Sequence, residues 1–218
     1  MILEAKQVTK SYGDLPILNG VNIEVKEKEI VSIVGSSGAG KTTLLQILGT
    51  LDQPSSGELR IDHTNPFELN QNELSAFRNE KLGFIFQFHQ LLPEFTALEN
   101  VMLPGLIRGD SKKQAKERAE MLLEKIGLQD RLNHKPSALS GGEQQRSAVC
   151  RALFNEPKII FGDEPSGNLD TKNSQELHEL FFKLREEFSQ TFVIVTHNKE
   201  LAAMADRTLT MKDGNFIR

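Results

Sequence analysis

GSSGAGKT, residues 35–42, is the most informative stretch of this chain. It fits the pattern G-x-x-x-x-G-K-[ST], in which small residues let backbone N–H groups close around phosphate oxygens and a lysine neutralises their charge. The run before it, EIVSIVG at 29–35, is typical of a buried strand, and KTTLLQILG at 41–49 is typical of a helix. Strand, glycine loop and helix in this order predict a phosphate-binding loop and not an ordinary glycine-rich turn.

A loop of this kind predicts binding of a nucleoside triphosphate, ATP or GTP. We expect Lys41 to reach the β- and γ-phosphates and the Thr42 hydroxyl to bind Mg²⁺. The backbone N–H groups at the start of the helix should line the phosphate cradle. The residues assigned to nucleotide binding here are Gly35, Ser36, Ser37, Gly38, Ala39, Gly40, Lys41, Thr42 and Thr43.

Three further short apolar runs end in polar residues: GFIFQ at 83–87, KIIFGDE at 158–164 and TFVIVTH at 191–197. They are rich in β-branched residues and Phe, which indicates buried strands. Ligands bind outside the carboxyl ends of the strands in an open parallel sheet, so the side chains there are expected to converge. These side chains are Gln87, Asp163, Glu164 and His197.

Asp163 has a predicted functional role, and the other three polar residues have either a functional or a purely structural one. Asp163 is placed to hold the hydration shell of Mg²⁺. Glu164 either polarises a water for attack on the γ-phosphate or only caps the following loop. His197 is either a γ-phosphate contact or an ordinary histidine at a strand end, and the same two interpretations apply to Gln87.

LSGGEQQR at 139–146 is a second glycine-containing segment with two compatible interpretations. Ser140 and Glu143 form a capping box that starts a helix running to about Phe154. The same helix N-terminus, with two glycines and a serine hydroxyl, is also an anion site. Asp170, after SGNL, is a good N-cap for a helix beginning near Thr171 and needs no other function.

The remaining patterns predict a single α/β folding unit over residues 1–218. The chain opens with β-rich runs, and Asp213-Gly214 is typical of a hairpin turn. Capping boxes at Thr96 and Ser111 and an apolar helical face predict a helical insertion over about 88–157. The α/β core would then comprise about 1–87 and 158–218. The residues of that face are Ala115, Ala119, Leu122, Leu123 and Ile126.

Composition narrows the function classes. The net charge is −4 with both signs interspersed, which argues against a broad, nonspecific grip on nucleic acid. The first ten residues lack an apolar signal-peptide core, and no run approaches the ~18 apolar residues of a bilayer span. We therefore expect a soluble, cytosolic subunit. Cys150, the single cysteine, is expected to be a small buried side chain without chemistry.

Taken in order, these segments resemble the ATP-binding cassette (ABC) ATPases over essentially the whole chain. The resemblance implies a P-loop NTPase core with an N-terminal antiparallel β-subdomain and an inserted helical subdomain. It also implies the roles of the motifs. Tyr12 would stack on adenine, and Ser140, Gly141 and Gly142 would form the signature. The catalytic residues would be Glu164 as the catalytic carboxylate, His197 as the switch histidine and Gln87 as the Q-loop glutamine. Thr42, Gln87 and Asp163 would be the Mg²⁺ ligands.

The family further implies a homodimer in which two copies pack head to tail. Ser140, Gly141 and Gly142 of one copy would then close over ATP bound to Lys41 of the other, so the active site would exist only in the dimer. Loss of the γ-phosphate would release the two copies, and this opening and closing would do work on a partner.

GFIFQFHQLLPEFTALENVMLPGLI at 83–107 and DEPSGNLD at 163–170 resemble the ABC ATPases of lipoprotein-releasing complexes. That resemblance implies a subunit on the cytoplasmic face of the inner membrane, which contacts the membrane only through LolC/LolE-like integral-membrane subunits. These would dock near 88–103. Macrolide-efflux and cell-division ABC ATPases are the alternatives, followed by a soluble ABC protein acting on DNA or ribosomes and by a P-loop kinase.

Departures from the family pattern are small. Ser166 stands where Thr is usual, which preserves the hydroxyl, and Gly162 replaces a more common Ala. Asn198 follows His197 where Asp is usual. None of the three removes a predicted catalytic group.

Overall fold

Two β-sheets and a set of helices make up the computed structural model, which describes residues 1–217. The strands are β1 Leu3–Tyr12, β2 Leu15–Val25, β3 Ile30–Gly35, β4 Ser56–Ile61, β5 Leu82–Phe86, β6 Ile159–Asp163, β7 Phe192–Val195, β8 Arg207–Lys212 and β9 Asn215–Ile217. The α-helices are α1 Lys41–Leu48, α2 Gln71–Lys81, α3 Ala97–Arg108, α4 Lys112–Lys125, α5 Gly141–Leu153, α6 Thr171–Phe188 and α7 Lys199–Met204.

The larger sheet has the strand order β5-β6-β7-β3-β8-β9. Its pairs are parallel except for β8 and β9, which form the hairpin predicted at Asp213-Gly214. Strands β3, β6 and β7 are almost wholly buried, as their continuous apolar runs predicted. Helix α1 and the smaller sheet cover one face of the larger sheet, and helices α5, α6 and α7 cover the other. The carboxyl ends of β3, β5, β6 and β7 therefore meet at one edge.

The smaller sheet is antiparallel, with the order β2-β1-β4, and confirms the predicted N-terminal β-subdomain. Its inward residues alternate with exposed ones and pack in one apolar cluster with α1 and one face of the larger sheet. This packing holds the loop before α1 between the two sheets.

Helices α3, α4 and α5 share a separate apolar cluster. The capping boxes predicted at Thr96, Ser111 and Ser140 are all present, and each starts its helix. On α4 the predicted inner face is buried except for Ile126, which is partly exposed. Within residues 1–217, none of the helices has the combination of length and apolarity that crossing a membrane requires.

Helix α2 was absent from the predictions. Asn70 caps it with a capping box to Glu73, yet none of its residues is buried. Without a buried apolar stripe, α2 shows no helical periodicity, and its local signal is the Asn70–Glu73 capping box, of the same kind that identified the helices after Thr96, Ser111 and Ser140.

Candidate functional site

A cleft of about 590 Å³ opens at the carboxyl edge of the larger sheet. This volume is within the usual range for a small-molecule site. The cleft brings the loop before α1 together with the ends of β5, β6 and β7. Its lining residues are Ile17, Gly35, Ser37, Gly38, Gly40, Lys41, Thr42, Thr43, Gln87, Glu164, Val195 and His197.

The loop leading into α1 has the backbone form of an anion cradle. Gly38 and Gly40 have φ values of 77° and 98°, the left-handed region that glycine adopts without steric cost. Gly40 is the N-cap of α1, and no side chain caps the helix there. The first-turn N–H groups of α1 therefore face the cleft without a competing side-chain acceptor, which suits a phosphate group.

Lys41 contributes the positive charge of this cradle. Its Nζ donates hydrogen bonds to the carbonyl oxygens of Gly35 and Ser36, at 2.9 Å each. These bonds fold the side chain back over the loop that it belongs to. The ammonium group thus lies where phosphate oxygens bound to the loop would meet it, so the residues fit a nucleoside triphosphate.

The residues predicted to hold Mg²⁺ also lie together. Thr42 Oγ1 donates to Asp163 Oδ1 at 3.3 Å, which joins the helix start to the end of β6. Burial raises the pKa of Asp163 above its ordinary value, with the Thr42 hydrogen bond opposing the shift and the charge of Glu164 adding to it. A half-buried carboxylate beside a hydroxyl is an environment that a hard divalent cation would stabilise.

Gln87 lies at the same edge, immediately after β5. Its Nε2 donates to Asn168 Oδ1 at 2.9 Å, and Asn168 Nδ2 donates to the Gln87 carbonyl oxygen at 3.2 Å. Because Nε2 is engaged, the side-chain oxygen of Gln87 is the atom left for a cation. Asn168 was absent from the predicted site, although it lies in the SGNLD segment; only tertiary contact reveals its partner.

Glu164 directs its carboxylate toward the end of β7. Glu164 Oε2 lies 2.8 Å from His197 Nδ1 and accepts from the His197 backbone N–H at 3.1 Å. The backbone of Glu164 has φ 47°, a left-handed value that few non-glycine residues adopt. Strained residues of this kind concentrate at functional sites. The carboxylate is thus oriented by His197, whereas a plain loop cap would bond its own following turn.

Ser140, Gly141 and Gly142 do not line the cleft of their own chain. Ser140 Oγ accepts from the Glu143 N–H at 3.2 Å, and the Glu143 carboxylate accepts from the Ser140 N–H at 2.7 Å. Ser140 and Gly141 are exposed, so this helix tip is open to another molecule.

Tyr12 also lies outside the lining of the cleft. Its ring is 52% exposed, its hydroxyl donates to Asp52 at 2.7 Å, and Lys10 Nζ lies 4.9 Å from the ring centroid. Stacking of adenine on this ring stays a prediction. Sequence patterns gave no sign of the Asp52 and Lys10 contacts, which join distant parts of the chain.

Two of the departures from the family pattern, Ser166 and Asn198, make local side-chain contacts. Asn198 accepts from the N–H groups of Glu200 and Leu201 and so caps α7, a role that Asp also fills. The Ser166 hydroxyl lies 3.1 Å from Nε2 of the buried His178.

Asp170 caps α6 as predicted, by accepting from the Asn173 N–H at 2.8 Å.

Comparison with known proteins gives one family. Residues 18–167 match the family described as ABC transporter. The lipoprotein-releasing system ATP-binding protein LolD of Bacteroides fragilis is 58% identical over 99% of this chain and 100% of its own length. The protein of the same name from Porphyromonas gingivalis is 62% identical over 98% of each chain.

Solved structures agree with this match. The dimeric post-hydrolysis structure of the ATP-binding cassette MJ0796, bound to ADP and Pi, superposes with a TM-score of 0.90 at 42% identity. The alignment covers 99% of this chain and 97% of that one. The fold also contains the phosphate cradle, Asp163 at the end of β6 and the exposed Ser140 helix tip. Because the family match and the relatives cover most of its length, this chain belongs to the ABC transporter family.

Proposed function

We propose that this chain is the ATP-hydrolysing subunit of an ABC complex that releases lipoproteins from the inner membrane. Sequence identities of 58% and 62% over nearly full length to proteins named LolD support this role. The observation that carries the ATPase chemistry is the Glu164–His197 contact of 2.8 Å, at the edge of the cleft that contains Lys41.

In this proposal the loop before α1 binds the triphosphate and Lys41 neutralises its terminal phosphates. Thr42, Asp163 and Gln87 would hold Mg²⁺. When bound, Mg²⁺ would neutralise charge on the phosphates. The 3.3 Å contact between Thr42 and Asp163 supports the shared role of these two residues, since both approach the same point from different elements.

Glu164 would accept a proton from the attacking water, which then adds to the γ-phosphorus while the bond to the leaving phosphate oxygen breaks. His197 would orient the Glu164 carboxylate through its ring nitrogen and contact the γ-phosphate from the end of β7. The products are ADP and inorganic phosphate, and the proton leaves through Glu164.

The proposed active unit is a homodimer. Because Ser140, Gly141 and Gly142 are absent from the lining of their own cleft, they could act on nucleotide only in another copy. The N-terminus of α5 carries a favourable dipole for an anion, and the exposed Gly141 allows close approach. The dimeric state named for the cassette MJ0796 supports this arrangement.

The proposed docking surface for membrane subunits of the LolC/LolE kind comprises residues 88–103, extended by the end of α3. Large apolar side chains here are exposed: Phe88 74%, Leu92 42%, Phe95 37%, Leu106 41% and Ile107 73%. Large apolar side chains exposed in this number suit a protein interface. Through those partners the chain would lie at the cytoplasmic face of the inner membrane.

Reconstitution tests this function. The complex of this chain with its membrane subunits would be placed in liposomes loaded with a lipoprotein, and ATP-dependent transfer of the lipoprotein to a soluble acceptor protein would be measured. Transfer that requires ATP and is lost in a Glu164→Gln complex is the expected result. ATP hydrolysis without transfer, combined with transport of a macrolide, would favour the efflux alternative instead.

A further inference from the structure

The segment of residues 86–90, which begins at the last residue of β5 and contains Gln87, is held by side chains of α5. Gln145 Nε2 donates to the Phe86 carbonyl oxygen at 3.2 Å. Arg151 donates through Nη2 to the His89 carbonyl oxygen at 2.9 Å and through Nη1 to the Gln90 carbonyl oxygen at 2.6 Å. Three backbone carbonyls of this five-residue segment are thus bound to one helix.

Both side chains are committed to these contacts. Gln145 is fully buried, and its Oε1 contacts His89 Nδ1. Its Nε2 also donates to the Pro165 carbonyl oxygen at 2.7 Å, next to Glu164. Arg151 is half-buried, and its guanidinium donates to two backbone carbonyls. Such charge-assisted hydrogen bonds are stronger than neutral ones.

The backbone of the 86–90 segment needs such support. His89 and Gln90 have φ values of 48° and 49°, so two consecutive non-glycine residues are left-handed. This conformation persists only when surrounding contacts determine it. Phe88, directly before them, is 74% exposed and lies in the proposed docking surface.

We infer that Gln145 and Arg151 are positioning residues that make the 86–90 segment and α5 move as one body. Helix α5 begins at the Ser140 tip, about 16 Å along the helix from Arg151 at 1.5 Å per residue. A partner that displaces Phe88 would then displace the tip that closes over nucleotide in the second copy. The inference rests on the proposed function for its partner and its nucleotide, whereas the attachment itself rests on the contacts within one chain.

The same body reaches the hydrolytic residues. Because Gln145 contacts His89 and also bonds the Pro165 carbonyl oxygen, motion of residues 87–90 relative to β6 must break or bend one of these two contacts. Glu164 precedes Pro165, so its orientation depends on the position of α5. Gln145 therefore joins the docking surface, the Ser140 helix and the Glu164 turn in one buried contact.

A spin label at position 88 tests this attachment. Phe88→Cys offers an exposed thiol, while the native Cys150 is fully buried and should not react. The label's mobility would be measured with and without Mg-ATP in a Glu164→Gln background. In the parent we expect a mobility change on ATP binding. In Arg151→Leu and in Gln145→Leu we expect higher mobility without nucleotide and loss of the ATP-dependent change.

Arg146→Leu is the matched control, since Arg146 lies on the same helix but pairs with Glu176 on α6 at 3.3 Å. It should keep the parent's response. Arg151→Lys, which keeps one cationic donor, should give an intermediate response and serves if Arg151→Leu does not fold. Parent-like mobility in both Leu variants, or the same loss in Arg146→Leu, would overturn the inference.

Separate measurement of ATP binding to the parent distinguishes the two proposals. If the parent binds no ATP, the proposed function fails, and the mobility comparison without nucleotide still decides the attachment. If the parent binds ATP and responds while the Leu variants respond equally, only the inference fails.

Discussion

Glu164 and His197 meet at the ends of two neighbouring parallel strands, with Oε2 of the glutamate 2.8 Å from Nδ1 of the histidine and 3.1 Å from its backbone nitrogen. Two contacts to one carboxylate oxygen fix its direction. The other oxygen is free of this pair and available to a water molecule.

Glu164→Gln should therefore bind ATP and hydrolyse it about 10² to 10⁴ times more slowly, because the amide cannot accept the proton of the attacking water. It can still accept from His197, so the geometry of the strand ends should survive. Phosphate release measures the rate, and gel filtration with ATP should detect an accumulated dimer. Unchanged turnover would remove Glu164 from the mechanism.

Lys41→Ala should mainly weaken nucleotide binding. The Lys41 ammonium is held within the loop by two carbonyls at 2.9 Å, in the position to neutralise phosphate charge. Titration with a fluorescent ATP analogue would measure the loss of affinity, with Lys172→Ala, at an 86% exposed side chain, as the control. Equal affinity in Lys41→Ala and the control would contradict the phosphate-loop assignment.

Asp163→Asn should stabilise the nucleotide-free protein at neutral pH. Burial raises the pKa of Asp163 above its ordinary value of 3.8, so the folded state binds this proton more tightly than the unfolded chain does. The ionised carboxylate then costs stability above the folded-state pKa, and the cost disappears as the pH falls toward 3.8.

Thermal unfolding of Asp163→Asn and the wild type over a pH series checks this prediction. The Tm advantage of the variant should be largest at neutral pH and shrink in acid. With Mg-ATP the order should reverse, because only the wild type would gain stability from the bound cation. If the variant is less stable than the wild type at neutral pH without nucleotide, the ionised Asp163 carboxylate does not destabilise the folded protein, and the prediction is wrong.

Ile107→Asp should weaken co-purification with the membrane subunits while the isolated chain keeps its ATP hydrolysis. Ile107 is 73% exposed and does not line the cleft, and a carboxylate there would have to be desolvated in an apolar interface. Ile217→Asp, at a 51% exposed position on β9, is the control. Loss of the partners in both variants, or in neither, would argue against docking at the end of α3.

Local sequence patterns predicted much of this fold. Ser140, Thr96 and Ser111 cap helices because the hydroxyl and the Glu or Gln three residues later interact within one turn, so their neighbours in sequence suffice. The parallel strands were identified by continuous apolar runs, because both faces of their sheet are covered. Because these strands are parallel, their carboxyl ends lie at the same edge of the sheet, so the polar residues that follow them were expected to lie close together.

Contacts between distant segments escaped prediction. Gln145 is a polar residue of a type that is usually exposed on a helix. Its burial depends on hydrogen bonds to the carbonyl oxygens of Phe86 and Pro165, which are 59 and 20 residues away. The hydrogen bond between Tyr12 and Asp52 spans 40 residues. Such partners are determined by packing of whole elements, and a single sequence carries no local sign of them.

Mixing two inactive variants should restore activity if the site is shared between copies. Ser140→Asp keeps an N-cap acceptor for α5 but places negative charge where the partner's γ-phosphate would bind, so its homodimers should be inactive. Lys41→Ala homodimers should be inactive for lack of the phosphate-binding lysine. In a head-to-tail dimer each site combines Lys41 of one chain with Ser140 of the other. In a mixed dimer both substitutions therefore fall in the same site, and the second site is intact.

An equimolar mixture should therefore recover roughly a quarter of the wild-type hydrolysis rate, because half of randomly formed dimers are mixed and each keeps one intact site. Ser140→Asn, which caps the helix without adding charge, is the control and should retain far more activity alone than Ser140→Asp does. Each chain carries one lesion, so a site built wholly within one chain would leave the mixture as inactive as its components. An inactive mixture would therefore contradict the shared site, because a mixed dimer with shared sites must contain one undamaged site.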